Sequence, residues 1–587
     1  MCPRFVRFAL RGVLPVPEEG ETDKDGVQVN GYENFKGIQE PVRVELNPIT
    51  LLFGPNSAGK STIFQALHYA REIFQRQNLN PDRTLLGGDT IDLGGFENLV
   101  HRHDLKLPIR IMLDIDLSRE DLPNHDESQF IGDRDTPGNV GLKMSEVPSR
   151  INTMQVEVAV RWSERLETPY IEMYRVNVNS HFFLFIKSSP DGKGLSFDIN
   201  PYNPVFLPED VTPEEAEEAL FQVYESDDDE PQFKVGVLCW AWFELTEGFD
   251  GSGLYSVDIS GGLDSALPAE HAAISFNFPE KEFPVGNSKD EKEKLRVVEE
   301  REAFADFTYN LSLLLGSLIA GPCACVREGL RNFCYLGPLR EVPRRSNRPA
   351  TSPEDSRWAN GLAAYDTLFF SDDAFIDRVN EWLTREERLN SGYSVDVKKY
   401  RELETDNPLM LAVLQGRILD EDIDLSESLL ALPVKRRLLI RDEARDIELA
   451  PQDIGVGISQ VLPVVVAALH RKTGLVAIEQ PELHIHPAFQ VALGDLFIEQ
   501  VRKCPDLTFI LETHSEHLML RFLRRIRETG ENEAPKDRTL TPDELSIYFI
   551  EQGEAGISCF SIRVDEDGDF IDRWPKGFFA ERAGELF

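Results

Sequence analysis

The sequence predicts an α/β protein with a large, mostly β, acidic insertion and a small C-terminal α+β tail. Three features of its 587 residues lead there. A short apolar strand feeds a glycine-containing loop and then a helix near residues 49–77. A βα rhythm returns after about Ala450. Between them, from Leu105 to about Phe307, strand-like alternation is mixed with acidic, polar stretches. At about 150 residues per domain, the length corresponds to roughly four domain-sized pieces. The divisions expected are an N-terminal lobe at 1–104, the insertion at 105–330, a helical connecting lobe at 331–450, a C-terminal lobe at 451–540 and the tail at 541–587.

The N-terminal stretch MCPRFVRFALRGVLPV is broken by Arg7 and Arg11, so it reads as a strand and not as a signal peptide. Residues 42–53, VRVELNPITLLF, are two β-rich runs separated by the turn signal Asn47-Pro48. The helix from Ser61 to about Gln77 puts Ile63, Ala66, Leu67, Ala70, Ile73 and Phe74 on one face. In the insertion, Gln155–Trp162 alternates Val156, Val158 and Val160, and Tyr170–Val178 and Phe182–Lys187 are also strand-like. Thr212-Pro213-Glu214-Glu215 is a capping box that opens a short helix. Ser226–Glu230 and Asn287–Glu300 read as acidic loops, and the apolar stretch Leu311–Val326 as a buried helix too short and too interrupted to span a membrane. Leu475–Ile478 and Thr508–Leu511 are strands of buried type. His486–Val501 and Glu516–Arg527 are helices, the second with a basic face. The tail from Glu544 alternates strands and turns, with Asp567-Gly568 as a hairpin turn.

The net charge is -40, so non-specific coating of nucleic acid is disfavoured, because phosphate binding needs surplus cations. The seven cysteines include no CxxC pair and are odd in number, which argues against a zinc ribbon or disulfide framework and for a reducing, cytoplasmic setting.

Gly54-Pro55-Asn56-Ser57-Ala58-Gly59-Lys60-Ser61 matches GxxxxGK[ST] in a strand-loop-helix context. Gly54 and Gly59 let the backbone curl so that successive N–H groups, with those of Asn56, Ser57 and Ala58 among them, point at phosphate oxygens. The helix that follows adds its positive end. Lys60 would neutralise the β- and γ-phosphates, Ser61 would ligate Mg²⁺, and Thr62 would bond the α-phosphate. ATP and Mg²⁺ are therefore the expected cofactors.

A second set lies downstream. Leu475–Ile478 ends in Glu479, followed by Gln480-Pro481-Glu482, and a carboxylate at a strand's C-terminal edge suits the magnesium shell. Upstream is Gly455-Val456-Gly457-Ile458-Ser459-Gln460; downstream, after the strand TFIL, is Glu512-Thr513-His514-Ser515. This order resembles ABC-type ATPase heads of the RecF/SMC/overcoming-lysogenization-defect group. EQPELHIHP and ETHSEHLMLRFLRRI resemble most the small ATPases of that group found in prokaryotic phage-defence operons, and DRWPKGFF resembles a C-terminal domain often carried by them. The likeness covers roughly residues 30–104 and 330–587 and leaves the insertion unmatched. It implies an ABC-type P-loop head in which Gly54 to Thr62 cradle ATP. Gly457 and Ser459 then reach the γ-phosphate held by a second subunit, Glu479 serves magnesium with Ser61, and His514 is a γ-phosphate switch. Tyr335–Arg340, YLGPLR, resembles a recurring segment in which Arg340 could face phosphate or DNA.

One position departs from that family. A Glu general base usually follows the magnesium acid, and here it is Gln480. An amide cannot take the water's proton, although it can orient water. Glu482 is a stand-in base, and slow turnover is expected. The implied function is a nucleotide-gated dimer switch, acting as the sensor of a defence system with a separately encoded nuclease or toxin. The alternative is a DNA-clamping repair or chromosome-associated ATPase, so nucleic acid stays a possible partner; a membrane is not expected.

Several features carry weaker readings. His484 and His486 lack a third spaced metal ligand and read as structural or dimer contacts. Ser260–Ser265, SGGLDS, resembles a pyrophosphate loop, the basis of a third, metabolic-enzyme reading, but Pro268 interrupts the helix that motif needs, so a turn is preferred. Asp565–Asp569 is too short of following chain for a Toprim nuclease. Arg521, Arg524, Arg525 and Arg527, and the Arg340–Arg348 stretch, read first as solvated or ion-paired and second as a surface for nucleic acid or an acidic partner.

Overall fold

A computed structural model of the chain describes residues 4–10, 35–38, 42–81, 92–118, 142–190, 194–218, 291–345, 355–405, 430–553 and 556–575, with a few short pieces between. Along the N-terminal part run β1 (Arg4–Leu10), β2 (Val42–Glu45), β3 (Ile49–Phe53) and helix α1 (Lys60–Arg76). Next come β4 (Ile109–Asp116), β5 (Thr153–Ser163), β6 (Thr168–Val178), β7 (His181–Ser188) and β8 (Leu195–Ile199), then the short pair β9 (Asp258–Ser260) and β10 (Ser275–Asn277). Helix α2 (Glu291–Arg331) leads to β11 (Cys334–Leu336), α3 (Leu362–Phe370) and α4 (Asp373–Thr384), and to a small sheet of β12 (Tyr393–Tyr400), β13 (Lys435–Asp442) and β14 (Ile447–Leu449). The C-terminal part holds α5 (Val456–His470), β15 (Gly474–Glu479), α6 (Pro487–Lys503), β16 (Leu507–Glu512), α7 (Glu516–Gly530), β17 (Leu545–Gly553) and β18 (Gly556–Ser561).

The sheet that carries the site has strand order β11-β15-β16-β3-β17-β18. Its first five strands pair in parallel, and β18 closes the edge antiparallel to β17. Parallel strands must be covered on both faces, which is why their sequences read as continuous apolar runs. Leu475, Ala477, Ile510, Leu52 and Ile550 join a core shared with α1 and α2. Val476, Ile478, Phe509, Leu511, Leu51 and Phe549 join a second core with α3 to α7. The period-2 geometry of each strand divides one apolar run between two cores.

A seven-stranded antiparallel sheet, β2-β1-β4-β5-β6-β7-β8, packs against α2. The strand-rich reading of the insertion agrees with β4 to β8. The sheet also runs across the 104/105 division drawn from the sequence, because β1 and β2 pair with each other and β1 with β4.

Two sequence readings are corrected. Glu291–Glu300 is no loop but the start of α2, 41 residues long. Its Glu, Lys, Leu and Arg residues are good helix formers, and no Gly or Pro interrupts the sequence from Glu291 to Leu315; a run of acids does not by itself make a segment irregular. The connecting lobe carries the unforeseen β12-β13-β14 sheet beside its helices. The apolar centre of α2 is buried through Leu311, Leu315, Leu318, Ile319, Cys323 and Val326. By length and composition, Val297–Arg331 is the only candidate membrane span among the described residues, and most of its apolar stretch lies inside the core. The Thr212 capping box is present, with Glu215 N–H donating to Thr212 Oγ1 (3.2 Å) and Thr212 N–H to Glu215 Oε2 (2.9 Å). Gly568, at φ 74°, completes the tight turn of Asp565–Asp569. Ser226–Glu230, Gly261–Asp264 and the end of the tail from residue 576 lie outside the described residues.

The basic face of α7 is divided: Arg521 and Arg525 turn inward to acids, while Arg524 and Arg527 stay exposed. Arg525 forks onto both oxygens of Asp495 on α6 (2.8 Å each), and Arg521 (3.0 Å) and Arg538 (3.3 Å) reach the same buried carboxylate. Arg524 pairs with Glu528 and Arg527 with the carbonyl of Asp567. Removing one partner from a buried charge cluster strands the rest, at about 3–5 kcal/mol. Asp495→Ala is therefore expected to lower the melting temperature by several degrees; a melt superimposed on wild type would contradict this account of the α6–α7 junction.

Candidate functional site

The loop 54–59 joins the end of β3 to the start of α1. Gly54 has φ 150° and Gly59 φ 94°, and Ser57, at φ 60°, also sits in the left-handed region. A Cβ on Gly54 would lie 2.0 Å from the carbonyl oxygen of Ile550, and one on Gly59 would lie 2.1 Å from Cδ1 of Ile557. The loop is thus pressed on one side by the β17–β18 hairpin, and only glycine fits at either end. Its backbone and the first turn of α1 form a cradle of the kind that receives phosphate.

Lys60 is buried at 4% exposure. Its Nζ donates to the carbonyls of Gly54 (3.1 Å) and Pro55 (2.9 Å) and lies 3.5 Å from Glu512 Oε1. Ser61 Oγ lies 3.2 Å from Glu479 Oε2 and 3.1 Å from Glu512 Oε2. A hydroxyl has one hydrogen, so it satisfies one of these carboxylates at a time. Strands β15 and β16 place the two acids side by side, with Glu479 opposite Glu512 in the parallel register. Burial, with Glu512 beside it, pushes the Glu479 carboxyl up to about 7, against the pull of Tyr335, Ser61 and Lys60. Burial raises Glu512 as well, with Lys60 and Ser61 opposing.

Tyr335 on β11 donates its hydroxyl to Glu479 Oε1 (2.8 Å). Its ring is held by α1: Phe64 at 5.9 Å and His68 edge-on at 4.9 Å. Burial pushes the His68 imidazole down to about 3, so it packs as a neutral ring. Arg340 is turned to the protein's own backbone, and not to the phosphate or DNA that the resemblance implies. It is buried, and its guanidinium donates to the carbonyls of Glu479 (2.7 Å) and Gln480 (3.2 Å). It ties the turn after β15 to the loop after β11, and burial lowers it to about 10.

Gln480 stands at the strand end with φ 44°, its N–H donating to the carbonyl of Glu512 (2.7 Å). Both oxygens of Glu482 are occupied: Oε2 accepts from Thr513 Oγ1 (2.8 Å) and Oε1 from the N–H of His514 (2.7 Å). Glu482 thereby fastens the His514 loop, and burial raises its carboxyl despite these bonds. His514 Nε2 is buried without a hydrogen-bond partner, and burial with Lys60 nearby lowers the imidazole. Ser459 lies in the first turn of α5, buried, with Oγ donating to the carbonyl of Val456 (2.8 Å). Gly455 and Val456 are exposed at the helix start, and a Cβ on Gly457 would meet the His484 carbonyl at 3.4 Å. His486 caps α6, its Nδ1 accepting from the N–H of Ala488 (3.2 Å).

The donor set fits a magnesium nucleotide. Hard oxygens from Ser61, Glu479 and Glu512 converge on one point beside a buried ammonium, a set that suits a small divalent cation. The orphaned His514 nitrogen and the glycine-walled cradle supply partners for an anion. Bound there, magnesium would neutralise charge on the phosphate oxygens.

Sequence reasoning assigned no role to Glu512 and none to Tyr335. A signal for the first was present: like Glu479, Glu512 ends an apolar strand-like run. Nothing in the sequence signalled the second, because β11 reaches Glu479 only through sheet pairing.

Residues 338–520 match a family model described as AAA domain, putative AbiEii toxin, Type IV TA system, and residues 31–100 match an AAA domain model. The chain carries AAA-type ATPase domains on a P-loop α/β fold. Residues 540–587 match a family described as protein of unknown function (DUF3696). Among solved structures, the chain is similar to an SMC head bound to the C-winged helix domain of ScpA, at 9% identity and TM-score 0.33 over 96% of this chain and 99% of that one. It is also similar to the Smc head domain with an extended coiled coil bound to the C-terminal domain of ScpA from Pyrococcus furiosus (10%, 0.33, 100% and 98%). A third is the SMC head domain from Thermotoga maritima (7%, 0.32, 96% and 100%). No curated protein matches the chain.

Proposed function

We propose that the chain is a magnesium-dependent ATPase head of ABC type, slow in turnover, that pairs with a second copy on ATP and works as a switch. The observation that carries this reading is the meeting of two segments hundreds of positions apart in sequence, Lys60-Ser61 on one side and Glu479 with Glu512 on the other, in one buried cluster. Lys60 and the loop amides of Asn56, Ser57, Ala58 and Gly59 bind phosphate, Thr62 adds an α-phosphate contact, and Ser61 with Glu479 holds magnesium. Gln480 positions the attacking water without accepting its proton. Glu482 acts by holding the His514 loop, whose imidazole reads the γ-phosphate. Because Ser459 is buried, the exposed start of α5 at Gly455 and Val456, with Gly457, is the part that meets the partner's nucleotide first, and Ser459 reaches it on closure.

The biological role we propose is regulation of a separately encoded effector, a nuclease or toxin, in anti-phage defence. The toxin-system description of the matched AAA model supports it. The alternative is a DNA-clamping role; on α7 it would have the exposed Arg524 and Arg527 to work with, since Arg521 and Arg525 are spent on Asp495.

The test is steady-state ATP turnover of the full chain beside Gln480→Glu, with mass measured by light scattering. Wild type is expected at or below about 1 per second, the slow end for enzymes. A carboxylate restored at position 480 should raise turnover about 100-fold, the lower range for a general base. ATP should double the mass. Fast wild-type turnover, or a Gln480→Glu variant no faster than wild type, would remove the switch reading.

A further inference from the structure

We infer that Glu512 is the residue that couples magnesium to nucleotide binding. The inference rests on the nucleotide-site reading above and deepens it. Beside Glu479, Glu512 reaches a cation with one oxygen and a hydroxyl with the other. Oε1 lies 3.5 Å from the Lys60 ammonium, and Oε2 lies 3.1 Å from the Ser61 hydroxyl that it shares with Glu479. It is buried, at 4% exposure, so neither charge is well screened by water.

This arrangement sets two conditions on a triphosphate. The phosphates must approach two neighbouring carboxylates, which repel them. They must also draw Lys60 away from Glu512 and from the carbonyls of Gly54 and Pro55. A divalent cation meets both conditions together: it gives the carboxylates a positive partner and releases Lys60 to the phosphates. Glu512 thus makes nucleotide binding depend on magnesium, and by thermodynamic linkage it makes magnesium binding depend on nucleotide to the same factor. Glu479 cannot do this alone, because its other oxygen is held by the Tyr335 hydroxyl and it has no direct hold on Lys60 among the described contacts. The sheet fixes the pair: Glu512 N-terminal neighbours Phe509 to Leu511 are paired to β3 on one side and β15 on the other, so the carboxylate cannot drift from the loop that follows β3.

The inference is tested by equilibrium binding of a fluorescent ATP analogue to the full chain at pH 8, once in excess magnesium chloride and once in EDTA. The quantity read is the ratio of the two dissociation constants. Glu512→Gln removes the charge, so the analogue should bind more tightly in EDTA than it binds wild type, and the ratio should fall by about tenfold, within the usual range of coupling between ligands. Glu512→Asp, whose carboxylate is drawn back by one methylene, should lower the ratio in the same direction by a smaller factor. It keeps the negative charge beside Lys60 and so serves if the Gln variant does not fold. A purely structural Glu512 would weaken binding equally with and without magnesium; an unchanged ratio in either folded variant overturns the inference. Lys60→Ala in the same assay separates the two levels. If it abolishes binding while Glu512→Gln leaves the ratio intact, only the coupling role falls. If wild type binds no nucleotide under either condition, both fall.

Discussion

Lys60→Ala is expected to abolish measurable ATP turnover and to weaken ATP binding at least about 100-fold, or some 2.8 kcal/mol at 1.4 kcal/mol per decade. The size follows from where the ammonium sits. It is almost wholly buried, it touches both the loop and Glu512, and the low local dielectric makes its charge worth more than at a surface. Its removal leaves Glu512 facing the Ser61–Glu479 group without Lys60 to balance it, so the pocket repels phosphate where it had attracted it. Melting should change less than binding, since the loop is also anchored by its strands. Isothermal titration with ATP and magnesium decides the matter: an unaltered affinity would mean that the nucleotide does not sit here.

The second large effect is on folding. Gly54→Ala puts a methyl group 2.0 Å from the Ile550 carbonyl oxygen, in backbone that an L-residue adopts with strain. β3 and β17 are paired neighbours in the middle of the sheet, so neither can step aside without breaking ladder bonds. Overpacking costs about 1–3 kcal/mol or more, and backbone strain about 1–3 kcal/mol besides. The sum is a large share of a typical stability of about 5–15 kcal/mol. Gly54→Ala should therefore lose most soluble expression or melt many degrees below wild type. Gly455→Ala is the control: φ there is -66° and a Cβ meets nothing within 4 Å, so its melt should stay near wild type. Equal behaviour of the two variants would show that the loop is not held against the hairpin.

These two positions differ in how readable they were. Lys60 announces itself through GxxxxGK[ST], because phosphate binding imposes residue types on four of eight consecutive positions. Gly54 is part of the same motif, yet the sequence gives only its need for a curled backbone. That a carbonyl from position 550 closes on it, and Ile557 on Gly59, depends on β17 pairing with β3 and on β18 folding back. Arg340 shows the opposite error. Its charge suggested an anionic ligand, whereas the fold buries it to satisfy the carbonyls at the end of β15. Charge alone does not tell whether a guanidinium meets a ligand or the protein's own backbone.

What is local was legible in the primary structure: the strand-loop-helix phosphate cradle, the apolar runs that must lie in a covered parallel sheet, the acid at the end of β15, and the amide at 480. Such features are set by residue types a few positions apart. It takes the folded chain to stand Glu512 beside Glu479, to give Glu479 to Tyr335 and Glu512 to Lys60, and to spend Glu482 on the His514 loop. Those relations come from strand order, and strand order is chosen by how two cores close over the same sheet, a property of the whole chain that no short segment carries.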